Sequence, residues 1–165
     1  MRYQSKEYME NFLGEHGSFD RVLEVGSADV TGNLRGLFST SYYLGIDLRV
    51  WKNVDLQLNG HDLKKHFKKP SFDLVFYFDT LEHDDKFWET VEGMRFVLKP
   101  KGWMIIGVPG RHAPYHNPEP EDYWRFMKPA VATFFRDFDE VNITIQYDEL
   151  DKEWESEIIG KGRKK

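Results

Sequence analysis

Arg21-Val22-Leu23-Glu24-Val25-Gly26-Ser27-Ala28-Asp29-Val30-Thr31-Gly32-Asn33-Leu34-Arg35-Gly36-Leu37-Phe38 is the stretch whose reading decides the fold. Val22 to Val25 is a short, β-branched apolar run of the kind that forms a strand buried on both faces of a parallel sheet. Gly26 stops it, and small and polar residues follow. Thr31 stands where an N-cap belongs, and Leu34, Leu37 and Phe38 mark one apolar face, so the spacing predicts a helix. A strand, a tight turn and a helix bring backbone N–H groups to the carboxyl edge of a sheet, where open α/β folds place their ligands. Gly26, Ala28 and Gly32 fit a pyrophosphate-binding G-x-G-x-x-G poorly, and Glu24 would set a carboxylate against an anion. A cationic or zwitterionic ligand suits the turn better.

The length of 165 residues predicts one domain, 1–165, with a single substantial core. With 40% hydrophobic and 31% charged residues the chain is too apolar for disorder. A net charge of −5 argues against general affinity for nucleic acid or an anionic membrane; the basic tail 161–165 reads as a solvated end. The absence of cysteine excludes disulfides, thiolate metal sites and a cysteine nucleophile. No segment approaches the ~20 apolar residues of a membrane span, and residues 1–6 lead into no signal-peptide core. A cytoplasmic location is the expectation.

Working outward, residues 1–18 hold an N-terminal helix expected from Ser5 to Leu13, with Ser5 as its cap and Tyr8, Met9, Phe12 and Leu13 facing the sheet. Tyr42 to Asp47 reads as a second strand ending on an acid, Val54 to Leu58 as an edge strand, and Phe72 to Phe78 as the clearest strand. Asp84 to Leu98 carries Phe87, Trp88, Val91, Met94 and Val97 at helical spacing, and Trp103 to Val108 is a fifth strand. The long irregular segment from Arg111 to Met127 is rich in His, Pro, Tyr and Trp, a common feature of functional loops. A helix over Pro129 to Phe138 precedes strands over Val141 to Tyr147 and Trp154 to Gly160. Their short connection demands an antiparallel hairpin.

In this order the motifs resemble the class I S-adenosylmethionine-dependent methyltransferases, in particular the small single-domain type 11 group. The likeness lies in Val22-Leu23-Glu24-Val25-Gly26-Ser27, Leu44-Gly45-Ile46-Asp47, Phe72-Asp73-Leu74-Val75 running to Leu81-Glu82-His83, and Arg95-Phe96-Val97-Leu98-Lys99-Pro100-Lys101-Gly102. It spans about Arg21 to Lys161. It implies an α/β Rossmann-like sheet of seven strands in the order 3-2-1-4-5-7-6, the seventh antiparallel, with helices on both faces. Ala28 stands where the family usually has glycine.

The resemblance also implies S-adenosylmethionine as cofactor. Glu24, Gly26, Ser27 and Ala28 would approach it from the first strand, and Asp47, followed by Leu48, would take its ribose hydroxyls, as a carboxylate acceptor can. Asn59 aligns with the acid that contacts adenine, Asp62 competes for that role, and Leu63, Phe78 and Asp79 complete the set. Asp79, Glu82 and His83 share one face if they form a helical turn, which leaves a divalent-metal reading open. The expectation is no metal, with His83, His112 or His116 as base where the acceptor needs one. Arg125 is read evenly as an anion contact or as a partner of Glu121 or Asp122, and Trp124 and Phe126 as loop anchors.

These features point to methyl transfer onto a small-molecule or sugar-like acceptor, without nucleic acid or membrane as partner. A nicotinamide-dependent oxidoreductase is the nearer alternative, and a non-catalytic binding module of the same fold the second.

Overall fold

A seven-stranded mixed sheet runs through the molecule. The computed structural model describes residues 3–30, 32–115, 121–148 and 153–165. Its strands are β1 (Arg21–Val25), β2 (Tyr42–Asp47), β3 (Leu56–Gln57), β4 (Phe72–Phe78), β5 (Leu98–Pro109), β6 (Phe138–Tyr147) and β7 (Glu155–Lys164). The order is β3-β2-β1-β4-β5-β7-β6, with β1 to β5 parallel and β7 antiparallel to both β5 and β6. This is the expected topology, and its strands end together where β1, β2 and β4 deliver Gly26, Asp47 and Asp79.

Period-two alternation sorts the strand side chains into two layers. Leu23, Val75, Tyr77, Met104, Ile106 and Ile158 face one layer, with α2 (Leu63–His66), α3 (Phe87–Val97) and α4 (Lys128–Thr133). Val22, Leu74, Phe76, Ile105 and Ile159 face the other, with Met9 and Phe12 of α1 (Tyr3–His16). Helices therefore cover both faces. None of the described helices is long and apolar enough to cross a membrane.

Three expectations are corrected. The helix after β1 is only a 3₁₀ turn, Arg35–Leu37. Asp29 accepts from Gly32 N–H at 3.0 Å and Asn33 Nδ2 at 2.8 Å, a local side-chain bonding pattern that competes with helix formation. Leu34 still goes inward, 1% exposed, so the apolar spacing marked burial without marking a helix; Thr31 lies outside the described residues. Ser5 is not a cap: fully buried within α1, it donates to Glu157 Oε1 at 2.8 Å and pins the helix to β7. Finally, Lys161 to Lys164 belong to β7, and Lys164 Nζ donates to the carbonyls of Arg95 at 2.6 Å and Leu98 at 2.7 Å.

Candidate active site

A cleft of about 820 Å³ opens at the carboxyl ends of β1, β2 and β4. Of the residues expected to hold a cofactor, Glu24, Gly26, Ser27, Ala28, Asp47, Leu48, Asn59, Phe78 and Asp79 line it together. Asp62 and Leu63 do not. Leu63 is fully buried against Gly93 of α3, and Asp62 is engaged by Lys65 Nζ at 2.6 Å. Asn59 lines the cleft, yet its side-chain oxygen already accepts from His61 N–H at 2.9 Å as the cap of a 3₁₀ turn, Gly60–Asp62. Arg49, His61, Thr80, Asp84 and Asp85 also line the cleft and were not anticipated. They sit on loops whose side-chain directions no local pattern records.

The turn after β1 excludes a phosphate cradle. Gly26 and Ser27 both donate their N–H groups to the Ile46 carbonyl at 2.9 Å, Ala28 donates to Asp47 Oδ2 at 3.2 Å, and Asp29 donates to the Lys52 carbonyl at 3.0 Å. Four successive amides are thus used inside the protein, and the turn leads into no α-helix whose N-terminus could hold an anion. Gly26 has another reason to be glycine: its φ is +75°, and a Cβ there would meet Thr80 Oγ1 at 2.3 Å.

Glu24 stands at the floor, 8% exposed, its Oε2 accepting from Tyr43 Oη at 2.7 Å and Asn53 Nδ2 at 2.9 Å. Burial pushes its carboxyl up to about 7, against the opposing pull of those two donors and Arg35. Asp47 accepts one backbone N–H on each oxygen, Ala28 at 3.2 Å and Arg49 at 3.1 Å. A carboxylate has about four acceptor sites, so capacity remains for a diol. Ser27, 2% exposed, has a hydroxyl with no hydrogen-bond partner among the described residues.

The histidines separate. His83 lines the cleft in the 3₁₀ turn Leu81–His83, and its Nδ1 lies 2.7 Å from the Glu121 carbonyl. A carbonyl only accepts, so Nδ1 carries the hydrogen and Nε2 is left as the basic nitrogen, 3.9 Å from Glu82 Oε1. His112 does not line the cleft. Its ring lies against Trp154, and its Nδ1 accepts from Glu155 N–H at 3.1 Å, which ties it to β7. His116 lies outside the described residues.

Arg125 is a loop clamp, paired with Asp122 at 2.5 and 2.7 Å and donating to the Ala113 and Pro114 carbonyls. Phe126 anchors the core at 4% exposure, while Trp124 is exposed and donates Nε1 to the Asp84 carbonyl at 2.9 Å. Among the described residues, the group whose ligand atoms come within 4.8 Å of one another is His61, Asp84 and Asp85. Asp79, Glu82 and His83 do not form such a group.

Residues 23–106, half of the chain, match the family described as "Methyltransferase domain". The chain belongs to that family. Its fold is that of the class I S-adenosylmethionine-dependent methyltransferases: an S-adenosylmethionine-dependent methyltransferase from Archaeoglobus fulgidus superposes with a TM-score of 0.72 at 13% identity, covering 96% of this chain and 94% of that one. The 1,6-didemethyltoxoflavin-N1-methyltransferase of Burkholderia thailandensis, solved with 1,6-didemethyltoxoflavin and S-adenosylhomocysteine, gives 0.70 at 18% identity, covering 97% and 78%. A carotenoid 3,4-desaturase from Haloarcula japonica is 31% identical over 74 residues, which are 44% of this chain and only 15% of that protein.

The residues present fit the family's cofactor. The cleft wall carries Glu24, Asp47, Asp79, Glu82, Asp84 and Asp85 against one permanent cation among the described lining residues, Arg49. That field favours a sulfonium and an ammonium group and opposes a pyrophosphate. Asp47 suits a ribose diol, and the Ser27 hydroxyl is a buried polar atom in want of a partner.

Proposed function

We propose that the protein transfers the methyl group of S-adenosylmethionine to a small-molecule or sugar-like acceptor, in a cytoplasmic setting. The observation that carries this reading is the acid-lined cleft at the ends of β1, β2 and β4, with Asp47 at the tip of β2. Asp47 would accept the ribose hydroxyls, Glu24 would face the cationic end, and Leu48 and Phe78 would supply apolar surface beside Gly26, Ser27, Ala28, Asn59 and Asp79. The cofactor, when bound, supplies an electrophilic methyl on a sulfonium leaving group. What remains for the protein is to hold the acceptor in line at near-attack distance and exclude water.

For a hydroxyl acceptor, His83 Nε2 takes the proton, and Glu82, 2% exposed, steadies the imidazolium. The Glu121 carbonyl holds the required tautomer. A small acceptor also accords with the Burkholderia relative, whose own ligand is a small heterocycle. Isothermal titration tests the reading: S-adenosylmethionine and S-adenosylhomocysteine bind and reduced nicotinamide cofactor does not. The reverse result would overturn it.

A further inference from the structure

We propose that Asn53 is the positioning residue of the cofactor wall, its side-chain amide fastening the Glu24 carboxylate to the turn at Ser27 so that both keep their places on the cleft. The assignment rests on the functional reading above for its consequence, not for its geometry. Asn53 lies in the loop between β2 and β3 and does not itself line the cleft. Its Nδ2 donates both to Glu24 Oε2 at 2.9 Å and to the Ser27 carbonyl at 2.9 Å. Its Oδ1 accepts from Arg35 Nε at 2.6 Å, and its backbone carbonyl from Arg35 Nη2 at 3.2 Å. One side chain therefore joins the end of β1, the turn after it, the 3₁₀ turn at Arg35 and the loop after β2.

Two further observations mark the position as built. The Asn53 φ is +72°, a left-handed backbone that asparagine tolerates better than most side chains. Inside β2, Gly45 leaves out a side chain that this arrangement would exclude: a Cβ there would lie 2.5 Å from the Asn53 carbonyl oxygen and 2.7 Å from Ser27 Oγ. Glycine weakens a strand interior and marks a close backbone approach, which is what happens here.

Around Glu24 the charged and titratable groups are Tyr43 from β2, Arg35 from the 3₁₀ turn and Asp29 from the turn after β1. Tyr43 donates to the same carboxylate oxygen that Asn53 holds, and Arg35, itself paired with Asp55, lies over the Tyr43 ring at 4.4 Å. Arg35 attracts the ionised carboxylate and Asp29 repels it. Loss of the amide donor leaves Glu24 with one donor fewer and favours its neutral form.

Two variants separate backbone from side chain. Asn53→Gly keeps the left-handed conformation and removes the amide; Asn53→Asp keeps the size and replaces the donor with an acceptor. The Glu24 carboxyl is followed by carbon-detected NMR titration of the ligand-free protein, and S-adenosylhomocysteine binding by calorimetry. Both variants should move the Glu24 midpoint alkaline by about one pH unit, Asn53→Asp further, and weaken binding at neutral pH about tenfold, as expected for one lost hydrogen bond to a charged group. The binding loss should be recovered as the pH is raised, which a merely loosened fold would not do. Glu24 titrating in Asn53→Gly as it does in the parent overturns the assignment. A shifted midpoint in a protein whose parent form binds no S-adenosylhomocysteine overturns the cofactor reading instead.

Discussion

Replacing Glu24 by Gln should make the protein more stable and its cofactor site worse. Burial holds the Glu24 carboxyl at about 7, well above the ordinary 4.5. The sign follows from proton linkage: a folded-state value raised above the unfolded one means the native state binds the extra proton, so stability falls as pH rises between the two values. That interval corresponds to about 3 kcal/mol, fully in force above neutrality and gone below the ordinary carboxylate range. The amide introduced by Glu24→Gln can present its oxygen to Tyr43 Oη and Asn53 Nδ2 as the carboxylate Oε2 does now, without a buried charge. Urea unfolding of both proteins across this range is the assay. The two profiles should coincide at the acid end and separate as pH rises, with Glu24→Gln the more stable by up to about 3 kcal/mol. S-adenosylhomocysteine affinity should move the other way, because the ligand's ammonium loses a facing carboxylate. Superimposed stability profiles would refute the argument, since they would mean that Glu24 is solvated in the folded protein.

Other perturbations probe other parts of the site. Asp47→Ala should weaken cofactor binding by ~1–3 kcal/mol through unpaired hydroxyls while the unfolding midpoint changes little; equal affinity would remove Asp47 from the site. His83→Gln retains a donor for the Glu121 carbonyl but no base, so transfer to a hydroxyl acceptor should fall by roughly 10²-fold or more with S-adenosylhomocysteine affinity unchanged. His112→Ala, altering a ring held on β7, should leave that rate intact. Turnover should persist in excess EDTA; restoration by magnesium or zinc after its loss would point to His61, Asp84 and Asp85 as the ligands.

The strands were legible where burial on both faces leaves continuous apolar runs between breakers, so β2 and β4 begin and end where the sequence placed them, at Tyr42, Asp47, Phe72 and Phe78. The segment after β1 misled because periodicity reports which side chains go inward and not how the backbone is bonded. Leu34, Leu37 and Phe38 do pack inward, but Asp29 holds the Gly32 N–H and the Asn33 side-chain amide in a local turn, and the backbone closes only a 3₁₀ turn at Arg35–Leu37. The C-terminal residues misled through charge. Lys161, Arg163 and Lys164 look solvated in composition, yet β7 is an inner strand, and their long stems carry the charges to acceptors such as the Lys101 carbonyl and Glu140 at its rim.

In the site, strand-end acids were visible because a strand's last residue must lie at the sheet edge. The histidines differed in this respect: His83 closes the motif that follows the fourth strand, whereas His112 stands in the long segment after the fifth, and only the pairing of β5 with β7 draws His112 to Glu155. The same geometry bears on the long segment from Arg111 to Met127, whose composition marked it as a functional loop. Tyr123 N–H donates to the Glu82 carbonyl at 2.6 Å, Trp124 Nε1 to the Asp84 carbonyl at 2.9 Å, and His83 Nδ1 to the Glu121 carbonyl at 2.7 Å. Residues 121–124 are thus fastened to the turn that carries the proposed base. A loop movement large enough to break these bonds would also release the contact that fixes the His83 tautomer, so displacing this part of the loop and disarming the base are one event.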